Sequence, residues 1–194
     1  MVNIVEDKRT AILHAALELF AENGFHCSPV SRMAEIAKVA VGSIYRYFND
    51  KDEIIHAVFE MVDEKLSKDM MAYVDPARAK REQFITMITN LFRYLIAHPD
   101  EFKFLEQYYS SPYGIDKKRE KILAVDKGQD SNPFARIFIP DETVSFRKMP
   151  RPIFRALIFG PVIYLLRDSL AGLITIDDEI IITTAEICWE SITV

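Results

Sequence analysis

The amino-acid sequence predicts an all-α protein, and three observations do so. Apolar residues recur at helical spacing along most of the 194 residues. Helix stop and start signals punctuate those runs, and no stretch carries the strict alternation of a half-buried strand. A hydrophobic content of 49% with six Gly and nine Pro suits a compact chain of one or two domains rather than a disordered one.

The first helix is expected from Asp7 or Lys8 to Asn23, with Ile12, Ala15, Ala16, Leu19 and Phe20 forming a single buried stripe. Gly24 supplies a left-handed stop, and Phe25 can fold back on the last turn. Ser28-Pro29 reads as an N-cap with proline at the first helical position. Val30, Met33, Ala34 and Ala37 give the second helix a narrow apolar face of small residues, which permits a close crossing. Lys38-Val39-Ala40 fits a three-residue turn. A short third helix follows from Val41 to Phe48, with Ile44 and Phe48 facing inward.

Asp50 and Glu53 have the spacing of a capping box for a fourth helix, which carries Ile55, Val58, Val62 and Leu66 and ends near Tyr73. Asp75-Pro76 breaks the chain. Further helices are expected near 77–97, 99–110, 116–126, 132–138, 151–173 and 177–192. The segment 127–150 carries the weakest pattern.

Composition excludes several classes. Cys27 and Cys188 cannot build a disulfide framework, and they and the four histidines lack metal-ligand spacing, so a reducing compartment and no metal or cofactor are expected. The segment Val2 to Lys8 has no leader-like apolar run. Ala156 to Leu166, bounded by Arg155 and Arg167, is too short to span a bilayer. A cytoplasmic protein without a membrane partner is expected. No P-loop, dinucleotide-type glycine loop, nucleophile elbow or zinc-type histidine pair is found, so no enzyme is expected.

The net charge of −5 argues against a generally basic, nucleic-acid-coating protein. It is unevenly spread. Residues 1–51 hold six basic and six acidic residues, so the whole excess of negative charge falls in 52–194. A local footprint on DNA phosphates remains open to the first segment.

Two short helices about a tight turn, the second with small and aromatic residues outward, suit a rigid insert for the DNA major groove. Gly42 and Ser43 let the backbone approach the groove floor. Val41 can touch thymine methyl groups, and Ser43 can bond a base edge or a phosphate. Arg32 and Arg46 are candidates for backbone or guanine contact. The same aromatic cluster is also compatible with plain core packing, which is the expectation for Phe48, and Lys8 and Arg9 read as solvated first-turn residues.

The stretch from Ser28 to Lys51, above all Val41-Gly-Ser-Ile-Tyr-Arg-Tyr-Phe-Asn-Asp-Lys51, resembles the signature of TetR/AcrR-type transcriptional regulators. Ala15-Ala16-Leu17-Glu18-Leu19-Phe20, leading to Asn23-Gly24-Phe25, is similar as well. The resemblance covers about the first quarter of the chain. It implies a three-helix DNA-binding head with a helix-turn-helix at 1–51, joined to a larger helical ligand-binding and dimerisation domain at 52–194. It also implies that Tyr45 and Tyr47 reach phosphates and sugars, that Lys51 pairs with a phosphate, and that Ser31 can reach bases or backbone. Two residues depart from the family's pattern: Lys38 stands where Gly is frequent in the turn, and Ala40 where Ser or Thr often caps the recognition helix.

The resemblance further implies a homodimer on a palindromic double-stranded operator, built by the last two helices as a four-helix bundle with the mate. The residues expected there are Leu157, Pro161, Tyr164, Ile181, Ala185, Cys188 and Trp189, with Pro161 kinking its helix. Phe84, Met87, Leu91, Tyr94, Phe104, Tyr108, Phe134, Phe138, Phe159 and Ile163 offer apolar lining for a small-molecule effector, hydrophobic or amphipathic in character. Each would equally serve an ordinary helical core. The function these features suggest is a ligand-responsive regulator, in the first instance a repressor; the alternatives are an activator without effector and a helical interaction or scaffold protein.

Overall fold

The computed structural model describes residues 4–115 and 136–194, with side chains from Lys8 onward. The helix expected near 116–126 and Phe134 lie outside the described residues, as does the first part of the 132–138 helix. Eight named helices are described: α1 Ile4–Asn23, α2 Val30–Ile36, α3 Val41–Ile44, α4 Lys51–Met70, α5 Lys80–Ala97, α6 Pro99–Ser110, α7 Arg151–Leu170 and α8 Asp178–Ile192. The all-α expectation holds among the described residues. The one β feature there is a bridge between Phe146 and Thr193 in antiparallel sense.

Packing divides the chain into two units, Met1–Lys65 with His98–Asp126, and Leu66–Ala97 with Lys127–Val194. In the first, α1 packs on both α2 and α6. Its burial differs from the single stripe expected for α1. Ile12, Ala16 and Phe20 are buried as anticipated, but so are Leu13, Leu17 and Ala21, so a second row of the helix is covered as well. Phe20, Phe25 and Phe104 meet edge to face or tilted, with ring centroids 5.2–6.1 Å apart. Gly24 ends α1 at φ 75°, as the stop signal requires.

Ser28 departs from its expected role. Its fully buried hydroxyl lies 2.7 Å from the Gly24 carbonyl and 3.0 Å from that of Leu19, so it donates back into the end of α1 rather than capping α2. The carbonyls at a helix end have no partner within the helix, and burial makes one valuable. Pro29 takes the cap position instead. The capping box of α4 forms largely as expected. Asp50 Oδ1 accepts the Glu53 N–H at 2.8 Å, and Glu53 Oε2 accepts the Asn49 N–H at 2.7 Å.

In the second unit, α8 packs on both α5 and α7. Arg81 pairs with Glu186 and Arg93 with Asp178, at 2.8 and 2.9 Å, which sets α5 and α8 antiparallel. Asp177 caps α8 by accepting the Ile180 N–H at 2.9 Å. Across 141–149 no helix forms, and the backbone N–H groups of Arg147 and Val194 donate to the Ile192 and Ser145 carbonyls. Phe84, Phe138, Phe146, Phe154 and Trp189 form the aromatic centre of this unit. Gly172, at φ 73°, follows α7.

Candidate nucleic-acid interface

The helix-turn-helix is built on four buried residues. Met33 and Ala34 of α2, Ile44 of α3 and Phe48 just beyond it are at most 2% exposed. They fix both helices against the rest of the first unit, where α2 packs on α1 and on α3. Helical periodicity then dictates what is left outside. Ser31, Arg32, Val41, Gly42, Tyr45 and Arg46 are exposed, and Ser43, Tyr47 and Lys51 are half-buried. All nine residues that the sequence reading selected for DNA therefore stand on the surface of one small motif.

The third helix is shorter than the expected Val41 to Phe48. Regular α geometry covers Val41–Ile44, and the chain then tightens: Arg46 and Tyr47 donate to the Ser43 and Ile44 carbonyls. Phe48 still reaches Ile44 O at 3.0 Å, so the inward pair keeps its spacing.

The turn resolves the two departures noted in the sequence. Lys38 adopts φ 55°, the left-handed region, so it carries the strain that Gly would avoid. Ala40 is the N-cap of α3 and offers no side-chain acceptor. Gly42 is informative in the opposite way. A Cβ placed there would meet nothing within 4 Å. The protein's own packing does not require glycine at this position, which leaves room for an external surface.

Electrostatics separate the cations. Arg32 is paired with Glu35 at 2.5 Å, and the hydrogen bond to Glu35 raises its pKa. Arg46 has no ion pair among the described residues. Lys51 opens α4, where the first N–H groups and the helix dipole favour an anion. Partial burial lowers its pKa, against the opposing influence of Cys27 and Asp52.

Two contacts were not anticipated. The guanidinium of Arg9, exposed as expected, also sits 5.3 Å over the Phe48 ring in a cation–π contact. Tyr113 donates to Asp52 Oδ1 at 2.6 Å. Both join residues far apart in sequence, so neither local spacing nor periodicity carries a signal for them.

The residues expected around an effector divide between the units. Phe104 and Tyr108 belong to the first, where Tyr108 stacks on Phe59 at 4.1 Å. Phe84, Met87, Leu91, Tyr94, Phe138, Phe159 and Ile163 belong to the second. There Phe84, Met87, Leu91 and Tyr94 are buried, Phe138 and Phe159 are half-buried, and Ile163 faces outward. A surface depression of about 400 Å³ lies elsewhere, lined by Tyr73, Asp75, Arg78, Glu82, Gln83 and Thr86.

The residues expected to pair two copies also differ in placement. Ile181, Ala185, Cys188 and Trp189 face inward and are at most 6% exposed. Burial raises the Cys188 thiol to a pKa of about 11. Leu157 and Pro161 are half-buried, and α7 continues through Pro161. Tyr164 is 65% exposed. Among the described residues, no helix is long and apolar enough to cross a membrane, and no group of His, Cys, Asp and Glu is arranged to hold a metal ion.

Residues 12–58 match the family model of bacterial regulatory proteins of the tetR family, and residues 80–193 match that of a tetracyclin repressor-like C-terminal domain. The second match carries the likeness well past the first quarter of the chain. Similar proteins include the fatty acid metabolism regulator protein of Bacillus subtilis, 34% identical over 88 residues, covering 45% of this chain and 45% of that protein. Another is an uncharacterized HTH-type transcriptional regulator of Haemophilus influenzae, 34% identical over 110 residues, or 55% of this chain and 57% of that one. The chain thus spans only about half the length of these curated relatives. A TetR family transcription regulator from Marinobacter aquaeolei shares the fold, with a TM-score of 0.81 at 22% identity over 100% of this chain and 99% of that one. Regulators of this kind bind DNA and are not enzymes. With one model on its helix-turn-helix and another on more than half of its length, the chain belongs to the TetR family of transcriptional regulators.

Proposed function

We propose that two copies of this chain bind a palindromic operator and repress transcription, and that a hydrophobic or amphipathic small molecule releases them. The observation that carries the DNA part is the arrangement around Gly42. Four inward residues hold the motif, while Val41, Gly42, Tyr45 and Arg46 are exposed and Ser43 half-exposed, and among the described residues nothing packs where a Gly42 side chain would stand. Ser31 and Arg32 extend it along α2. Tyr47 and Lys51 are then phosphate ligands, and the surface is better supplied for backbone than for base contacts, so DNA shape contributes to recognition.

The head, 1–51, reads DNA, and 52–194 carries effector binding and pairing. Outward apolar residues on α7 and α8 support the pairing. Ile153, Ile163, Tyr164, Ile182 and Ile187 are 36–65% exposed, an amount of apolar surface that suits a twofold contact. Leu157 and Pro161 border this face. Ile181, Ala185, Cys188 and Trp189 support it from beneath. For the effector, the second unit's aromatic centre and its neighbours Met87, Leu91 and Tyr94 supply apolar lining. The named role of the Bacillus subtilis relative in fatty acid metabolism favours an acyl compound.

DNA binding is tested with a duplex that the wild-type protein selects from a random-sequence pool. Lys51→Ala and Tyr47→Ala are expected to weaken binding across sequences. Lys51→Ala should also reduce the slope of log affinity against log salt by about 1. Wild-type affinity in both variants would remove the assignment. Mass spectrometry of small molecules co-purified with the protein tests the effector class: an acyl or other apolar compound is expected, and a strongly polar one bound at one equivalent would contradict it.

A further inference from the structure

Three carboxylates lie beside Lys51 in sequence at the start of α4: Asp50, Asp52 and Glu53. Any phosphate drawn to Lys51 approaches them as well. Two are engaged locally. Asp50 accepts the Glu53 N–H at 2.8 Å, and Glu53 accepts both the backbone and side-chain N–H groups of Asn49 at 2.7 and 2.9 Å. Asp52 is engaged from far along the chain, by the Tyr113 hydroxyl at 2.6 Å.

Tyr113 is firmly placed. It lies in a helical stretch at 112–115, just after α6. Its ring meets Phe25 and His56 edge to face at 5.8 and 5.4 Å and lies nearly parallel to Tyr108 at 6.5 Å. The neighbouring Gly114 closes the turn so tightly that a Cβ there would stand 2.3 Å from the Tyr108 carbonyl oxygen. The bond to Asp52 pushes the hydroxyl pKa up to about 12, from an ordinary value already well above neutral pH.

We propose that Tyr113 is a positioning residue for DNA binding: by holding the Asp52 carboxylate, it keeps that charge from pairing with Lys51 or opposing the phosphate that Lys51 binds. The inference rests on the assignment of Lys51 as a phosphate ligand. It makes Tyr113, just after α6, a part of the DNA-binding apparatus.

The test uses full-length protein and the selected duplex. Tyr113→Phe keeps the ring contacts and removes only the hydroxyl. Affinity is expected to fall by up to about fivefold, the limit for moving one unit charge to about 4 Å from a phosphate in water, with the thermal midpoint unchanged. Adding Asp52→Asn should return affinity to the wild-type level. A merely structural tie would not be rescued this way. Asp52→Asn alone, which keeps an acceptor for the hydroxyl, should bind at least as tightly as wild type. The proposal is overturned if Tyr113→Phe binds normally while Lys51→Ala is weak, if its loss tracks a lower thermal midpoint, if Asp52→Asn fails to rescue it, or if Asp52→Asn alone binds less tightly. Normal binding by Lys51→Ala would instead overturn the phosphate assignment, and this proposal with it.

Discussion

Lys38 holds a left-handed conformation at the turn between α2 and α3, at φ 55°. A residue with a Cβ gives up about 1–2 kcal/mol there, while glycine brings its own entropic cost of about 0.5–1 kcal/mol. Lys38→Gly should therefore raise stability by about 0.5–1 kcal/mol in urea unfolding, and an unchanged or lower midpoint would show the turn to be relaxed. Gly42 is expected to behave differently. Gly42→Ala fills open space and improves helix propensity, adding up to about 1 kcal/mol of stability, yet it should weaken operator binding. A variant both more stable and equally tight would remove Gly42 from the groove-facing surface. The left-handed Lys38 was partly legible in sequence, since the residue type clashed with the family's pattern. The openness around Gly42 was not, because it depends on what fails to pack against it.

At the scale of elements, burial decides what capping signals mean. Ser28-Pro29 reads locally as a helix start, but the serine hydroxyl is fully buried and serves the end of α1. Ser28→Ala is expected to cost about 1–3 kcal/mol, the range for leaving a buried polar partner unmet; a loss of only a few tenths would restore the simple capping role. Asp50–Glu53 kept their expected role because that helix start is exposed, so no tertiary partner competed. The expected single stripe on α1 failed for a related reason. Leu13, Leu17 and Ala21 also follow helical spacing, and only the folded structure reveals that this second row is covered. Gly114→Ala is expected to cost about 1–3 kcal/mol by overpacking and to weaken DNA binding by displacing Tyr113. Normal stability would mean that the turn after α6 can relax.

For the whole molecule, fold class and the DNA-binding head were legible because the helix-turn-helix is a local object: its core, its turn and its outward face all lie between Ser28 and Lys51. The proposed pairing surface was less so. Both helices are apolar on several faces, and sequence cannot say which face its own protomer covers. Trp189 illustrates this, since it packs on Phe84 and Phe146 within one protomer. Its emission should be that of a buried indole and should persist when the dimer dissociates. Tyr164→Glu should produce a monomer in sedimentation, weakening association by more than about 2 kcal/mol, without shifting that emission. A dimer of wild-type strength would place the interface elsewhere.

The central claim is that the surface between Ser31 and Lys51 binds DNA, and in two copies. Footprinting across a salt titration tests it most directly. The expected result is a footprint of two inverted half-sites about 34–36 Å apart, with log affinity falling linearly as log salt rises. Failure to protect any sequence of the neighbouring genomic region at low salt, or protection that salt leaves unchanged, would contradict it.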